Sequence, residues 1–142
     1  PLKPTKNWRR HLSMLAKHTR SGLLKNPEML TLFATRPTLS ERALQQAESS
    51  IRILVDNGFK LSQALMIFRN LNVFVLGHVL AETDLMFAGS TPESRSLRPL
   101  NFDQFPLLKK AGRYKSNTDL EKGFVVGVES MLNGLQSMLD QG

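Results

Sequence analysis

The stretch from Leu61 to about Phe87 constrains this chain most, because it is apolar on most sides of a predicted helix. Its few polar interruptions include Arg69, Asn72 and His78. At the usual helical rise it would be about 40 Å long. A helix that is apolar all round must be covered all round. Since a chain of 142 residues has few other helices to offer, we expect a partner subunit to complete the cover.

The composition predicts one compact cytoplasmic domain over residues 1–142, with 41% apolar residues. No uninterrupted run of about eighteen apolar residues occurs, so we expect no membrane span and no membrane partner. Cysteine is absent, which excludes disulfide scaffolds, thiolate metal sites and cysteine nucleophiles. The first four residues, Pro1-Leu2-Lys3-Pro4, lack the apolar region of a signal peptide and are expected to be a cut or a linker.

The net charge of +7 lies at one end of the chain. Residues 1–25 contain seven Lys and Arg residues and no acid, whereas twelve basic residues balance twelve acids over residues 26–142. No aromatic interleaving, Gly-rich loop or recognition-helix pattern accompanies this basic end. The pattern favours a solvated basic face over a direct nucleic-acid site. A third interpretation is that this end lies near DNA held by another domain.

Hydrophobic periodicity predicts helices and a negligible strand content. The predicted helices cover residues 8–24, 27–33, 39–57, 61–87, 105–110 and 119–140. Thr38 and Thr118 are predicted to open two of them as capping-box residues. Asn57-Gly58 should end one helix in a left-handed conformation, with Phe59 making the apolar contact that often follows such an end. Residues 88–104 lack periodicity and predict a long loop, either a gate or a disordered segment.

The last helix contains Gly123, Gly127 and Gly134, and each costs about 1 kcal/mol of helix propensity relative to alanine. Close approach of another helix is the usual reason for glycines in such a place. An apolar surface lies beside them, made of Phe124, Val128, Met131, Leu132, Leu135 and Met138.

Five short segments follow one another along nearly the whole chain. They are the W-x3-L of Trp8 and Leu12, the turn Ala34-Thr35-Arg36-Pro37, Asn57-Gly58-Phe59, the FVLGHVL core of residues 74–80, and the closing Phe124-x2-Gly127-Val128-Glu129-x4-Gly134-Leu135. In this order and spacing they resemble the C-terminal domain of tetracycline-repressor-family regulators.

The resemblance implies an all-α fold of about six helices and a homodimer joined through a four-helix bundle of the long helix and the final helix. It also implies a small-molecule effector, no cofactor, and operator DNA contacted only through an N-terminal helix-turn-helix domain outside this chain. The interface residues that it indicates are Leu76, Gly77, Leu80, Phe124, Gly127, Val128, Met131 and Leu135. The effector-cavity residues that it indicates are Leu15, Thr19, Leu32, Thr35, Arg36, Leu65, Phe68, Arg69, Asn72, Val73 and Ala81.

Four of these cavity positions depart from the tetracycline-binding members of the family. Those members have an asparagine and a phenylalanine where this chain has Leu15 and Thr19. They hold the drug-bound magnesium with a histidine and a glutamate where this chain has Leu32 and Ala81. Without an imidazole and a carboxylate, Mg²⁺ loses its protein anchors. We therefore expect no metal site and an effector other than metal-chelated tetracycline.

Several of the polar positions have two interpretations. Arg69, on an apolar helix, either meets an acidic ligand, pairs internally or emerges at a surface. Asn72 lies on the same face and offers a donor and an acceptor, to a ligand or to the structure. Thr35 and Arg36 could line the cavity or simply build the turn.

The sequence pattern favours structural or solvated positions for the histidines over catalytic or ligand-binding roles. His78 is predicted to be a satisfied interface histidine rather than a ligand or a pH switch. His11 and His18 lie seven residues apart on the basic first helix and are predicted to be solvated.

No motif in the sequence predicts an enzyme. HExxH, G-x-S-x-G, a phosphate loop and a suitably spaced carboxylate pair are all missing. The alternative to a ligand-responsive regulator is a helical dimerisation or adaptor module without a small ligand. A cavity lined by Arg69 and Asn72 would favour the regulator, and a core filled by side chains would favour the adaptor.

Overall fold

The computed structural model describes residues 7–30, 40–83, 102–111 and 117–140, and these residues form helices joined by turns. The α-helices are α1 (Trp8–Lys25), α2 (Glu41–Asp56), α3 (Leu61–Glu82), α4 (Pro106–Ala111) and α5 (Asn117–Asp140), with a 3₁₀ helix at Phe102–Gln104. No strand occurs in the described ranges, and the predicted all-α class is confirmed.

Two of the predicted helix starts are wrong by two residues. Ser40, rather than Thr38, caps α2, because its side-chain oxygen accepts a hydrogen bond from the backbone N–H of Ala43 at 3.2 Å. Helix α5 begins at Asn117, so Thr118 lies inside it and is not its cap. The start of α1 follows the same chemistry as α2, since Asn7 Oδ1 accepts from the backbone N–H of Arg10 at 3.0 Å.

The turn between α2 and α3 forms as predicted. Gly58 has a φ of +102°, a left-handed conformation that glycine adopts without steric cost. Phe59 follows it and is buried, with its ring centroid 5.2 Å from that of Trp8 in an edge-to-face arrangement. The turn therefore fixes the α2–α3 pair against the first residue of α1.

Three predicted segments fall partly or wholly outside the described residues. Residues 28–30 are helical, as predicted for the short helix over 27–33, and the rest of that helix lies outside. Residues 102–104 form the 3₁₀ helix, so the predicted loop over 88–104 is wrong at its end, and 88–101 lie outside. Helix α3 ends at Glu82, and the predicted continuation beyond residue 83 lies outside.

Helix α3 is the centre of the fold, since it contacts α1, α2 and α5. It buries one stripe, consisting of Ala64, Ile67, Leu71, Val75 and Val79. Helix α1 buries Trp8, Leu12, Leu15, Ala16 and Leu23 against the same core, and α5 buries Phe124, Val128, Leu132 and Leu135. Each set recurs at helical spacing, and together they form one hydrophobic cluster.

The described residues of the chain leave the remaining surface of α3 uncovered. Only 28% of its most apolar stretch is buried, and the side chains of Val73, Leu65 and Met66 are 62%, 51% and 45% exposed. By length and composition alone α3 could cross a membrane, which is weak evidence because the core helices of many proteins share these properties. An exposed apolar surface of this kind calls for a partner.

The glycines of α5 differ in what surrounds them. A Cβ added at Gly127 would overlap the ring of Phe74, so this glycine permits the close approach of α3 that the sequence predicts. At Gly123 the nearest atom would be His78 Nε2 at an ordinary 3.8 Å. A Cβ at Gly134 would meet no atom of the described residues within 4 Å, so nothing in the described part of its subunit accounts for this glycine.

Candidate functional site

One face of α3 brings together four of the predicted effector residues, Leu65, Phe68, Arg69 and Asn72. They recur at steps of three and four residues and therefore lie on one side of the helix. Leu65 and Arg69 are exposed, whereas Phe68 and Asn72 are half-buried. We call this set the α3 polar-apolar face. It combines two apolar side chains with one cation and one amide.

The two polar groups of this face differ in their partners. Asn72 Nδ2 donates a hydrogen bond to the carbonyl oxygen of Phe68 at 2.8 Å, so the structural role considered for its amide is present. Its Oδ1 is the group that it could offer to a ligand. Arg69 reaches the surface of the chain and forms no ion pair with another described residue.

The predicted residues of α1 are placed differently from each other. Leu15 is 5% exposed and lies inside the hydrophobic core, whereas Thr19, one turn later, is half-buried. Leu32, Thr35 and Arg36 lie outside the described residues. Ala81 is half-buried near the end of α3. Within the described ranges, no three potential metal-ligand side chains come together.

The predicted interface residues fall into two groups. Phe124, Val128 and Leu135 are 1%, 2% and 8% exposed within a single chain, so they have almost no surface left to bury against a partner. They form the core of the subunit. The residues that keep accessible surface are Leu76, Gly77, Leu80, Gly127 and Met131. Hydrophobic periodicity shows that a face is buried, but it cannot show which chain buries it.

A half-buried cluster around an ion pair, which sequence reasoning missed, joins α1, α3 and α5. The Nε and Nη2 atoms of Arg20 donate to the two carboxylate oxygens of Glu82, each at 2.8 Å. The Nδ1 atom of His78 lies 2.7 Å from Glu82 Oε1. Phe124 completes the cluster, because Arg20 Cζ lies 5.1 Å from its ring centroid and the His78 ring meets it edge-on at 5.2 Å. We call these four residues the junction.

Opposing effects set the charge state of Glu82. Burial raises the pKa of its carboxyl group, but the hydrogen bonds and charges of Arg20 and His78 together hold that pKa below its ordinary value. The hydrogen bond to Glu82 raises the pKa of the Arg20 guanidinium. Glu82 is therefore an anion that only accepts hydrogen bonds, and His78 Nδ1 carries the hydrogen. The partner of His78 is thus in its own chain.

His11 is buried, and its predicted solvation is wrong, whereas His18 is exposed as predicted. His11 Nε2 lies 2.9 Å from Ser50 Oγ on α2. Ser50 is fully buried and donates its hydroxyl hydrogen to the carbonyl oxygen of Gln46 at 2.8 Å, so it accepts from His11. Burial lowers the pKa of His11. A neutral imidazole therefore joins α1 to α2.

Arg9 forms a second contact between α1 and α5. Its Nη1 donates to the carbonyl oxygen of Leu132 at 3.0 Å, and its Nη2 donates to Asn133 Oδ1 at 2.7 Å. Glu129 lies 3.6 Å from the same guanidinium. Arg9 and Arg20 thus hold α1 in place, which leaves Arg10, Lys17 and Lys25 as the exposed basic side chains of this helix.

Comparison with known proteins gives one consistent result. The family described as tetracyclin repressor-like, C-terminal domain, matches residues 1–139. The chain is 30% identical over 139 residues to tetracycline repressor protein class E of Escherichia coli, which is 97% of this chain and 62% of that protein. It is 28% identical over 136 residues to the class D protein of Escherichia coli and to the class H protein of Photobacterium damsela subsp. piscicida, in each case 94% of this chain and 59% of the relative. The chain spans about three fifths of the length of these relatives. No solved structure matches it.

The buried neutral His11 predicts a specific pH dependence of stability. Because folding lowers its pKa from the ordinary 6.5, the unfolded chain binds a proton more readily below that value. The contribution of His11 is fully present above pH 6.5 and is lost as the pH falls below it. Urea unfolding of the wild type between about pH 6.5 and pH 5 should show a free energy of unfolding that decreases as the pH is lowered.

The variant His11→Gln keeps a side-chain donor for Ser50 and removes the titration, so its unfolding free energy should fall less over this interval. The matched control is His18→Gln, at an exposed position on the same helix, which should keep the wild-type slope. An unchanged slope in His11→Gln would contradict the assignment.

Proposed function

The chain belongs to the family of tetracycline-repressor-like C-terminal domains, and on that premise we propose that it is the effector-binding and dimerisation core of a transcriptional repressor. The observation that supports this most is the uncovered apolar surface of α3. Operator DNA would be bound through a helix-turn-helix domain outside this chain. We propose no catalytic activity, since the family consists of regulators.

We infer a homodimer in which a second copy covers a seam along α3. The seam consists of Met66, Asn70, Val73, Gly77 and Leu80, which follow one another at alternating steps of four and three residues. This spacing is typical of helices that pack along their length. Val73, predicted from the resemblance to line the effector cavity, lies in the middle of the seam and is the most exposed large apolar residue of α3.

Helix α5 offers a complementary surface on the same side. It runs antiparallel to α3, since Gly123 lies beside His78 and Gly127 lies beside Phe74. Its exposed face contains Val126, Ser130, Gly134 and Ser137 at helical spacing. These small side chains allow a second helix to come close, which would explain Gly134. Two copies of α3 and α5 would make a four-helix bundle.

The α3 polar-apolar face supports a small, partly apolar effector. Leu65 and Phe68 would contact its apolar part, and Arg69 would face an anionic or hydrogen-bond-accepting group. Magnesium-chelated tetracycline is not the proposed ligand, because Leu32 and Ala81 cannot coordinate a metal through their side chains. Regulation further requires that the effector bind one arrangement of the dimer better than another.

The dimer is tested by sedimentation of Val73→Glu. A carboxylate placed in the seam would be desolvated and would face its symmetry mate, so we expect the dissociation constant to rise roughly 100-fold or more. Val55→Glu is the matched control, since Val55 is 41% exposed on α2 and lies off the seam. The proposed bundle is contradicted if the wild type sediments as a monomer at micromolar concentration, or if both variants dimerise equally.

The effector site is tested by native mass spectrometry of protein purified under mild conditions. We expect a small-molecule adduct on each subunit, and a loss of about 10-fold in its affinity in Arg69→Ala, because a charge-assisted hydrogen bond is removed. Arg52→Ala is the control, at an exposed arginine of α2 that pairs with Glu48. Equal occupancy in both variants would contradict the proposed role of Arg69. A chain that never carries or binds a small-molecule adduct would support the adaptor alternative.

A further inference from the structure

The junction of Arg20, His78, Glu82 and Phe124 does more than fill the core. Of the ion pairs between described residues, Arg20–Glu82 alone links two helices with both side chains mostly buried, at 17% and 8% exposure. The other interhelical pair of α1, between Arg9 and Glu129, is 32% and 52% exposed. A buried ion pair adds little stability over well-packed apolar residues of the same size. A bidentate guanidinium–carboxylate pair instead adds a fixed geometry.

The junction joins the C-terminal end of α3, the C-terminal half of α1 and the N-terminal third of α5. Glu82 is the last residue of α3, and Arg20 lies in the C-terminal half of α1. His78, one turn before Glu82, shares the Oε1 atom that accepts from Arg20 Nε. Phe124 of α5 contacts both Arg20 and His78. A displacement of the end of α3 would therefore move the groups that hold α1.

Arg9 and Arg20 lie eleven residues apart, about three helical turns, so they are on one side of α1. Both fasten α1 to the pair of helices that would form the four-helix bundle, Arg9 to α5 and Arg20 to α3. The contact of α1 with α2 is of a different kind, since its buried polar link is the uncharged hydrogen bond between His11 and Ser50.

We propose that Arg20 and Glu82 are positioning residues of a coupling junction, through which α1 follows the C-terminal end of α3. Helix α1 is the first described helix in chain order, and an N-terminal DNA-binding domain would precede it, so the junction would pass movements of the α3–α5 pair toward that end of the chain. The transmission of movement toward a DNA-binding domain rests on the proposed function. The mechanical coupling itself is a property of the chain.

Hydrogen exchange of this chain, followed by mass spectrometry, tests the coupling. In Arg20→Gln we expect the amides of residues 17–25 to exchange at least about 10-fold faster, because the C-terminal half of α1 opens locally once its anchor is lost. Residues 124–135 of α5 should change little. Arg52→Gln is the matched control, since it removes an arginine–glutamate pair on the surface of α2.

Two further variants keep the test decisive. Glu82→Gln preserves the size of the side chain and should also loosen residues 17–25, which covers the case in which Arg20→Gln does not fold. The double variant Arg20→Gln/Glu82→Gln should exchange no faster than the more affected single variant, because each change already breaks the same contact. Multiplying effects in the double variant would overturn the proposal, as would equal exchange of α1 in Arg20→Gln and Arg52→Gln. Sedimentation of the same samples reports the dimer separately, so the junction and the proposed function can fail independently.

Discussion

The structure depends on one constraint, which is that α3 is apolar on nearly every side and must be covered on every side. Helices α1, α2 and α5 pack against α3 and cover one stripe of it. The remaining surface, with Val73 at its centre, stays open in a single chain. A second copy that covers this surface would account for the exposed side chains of α3 without a membrane, and for the exposed glycine and serines of α5.

Around this apolar helix, a few polar contacts between helices decide how α1 lies. Apolar burial is non-directional, whereas hydrogen bonds and ion pairs require particular distances and angles. The hydrogen bonds of Arg9 to Leu132 and Asn133, and the pair between Arg20 and Glu82, fix α1 at two points. Hydrophobic burial thus supplies most of the attraction between the helices, whereas these polar contacts set the position of α1 against its neighbours.

The parts of the fold that sequence predicts are those that depend on local patterns. Periodic apolar residues gave α1, α3 and α5, and Asn57-Gly58 gave the turn, because each is encoded within a few neighbouring residues. The pair between Arg20 and Glu82 was out of reach, since its partners lie 62 residues apart. His11 was misjudged because it borders the apolar stripe, and only the position of Ser50 on another helix shows that it is buried.

The candidate site was predictable in part, for the same reason. The spacing of Leu65, Phe68, Arg69 and Asn72 places them on one face of α3, but whether Phe124 and Val128 face their own core or a partner depends on the packing of α5, which no local pattern encodes. In each case the missing information was the position of a second helix.

The central claim, that a second copy covers the seam of α3, is tested most directly by the oxidation of methionines with hydrogen peroxide. In a single chain Met66, on the seam, is 45% exposed, and Met29, away from it, is 37% exposed. If the dimer forms as proposed, Met66 oxidises more slowly than Met29 at high protein concentration, and its protection is lost on dilution. If Met66 oxidises at least as fast as Met29 at every concentration, the seam is not an interface and the account is wrong.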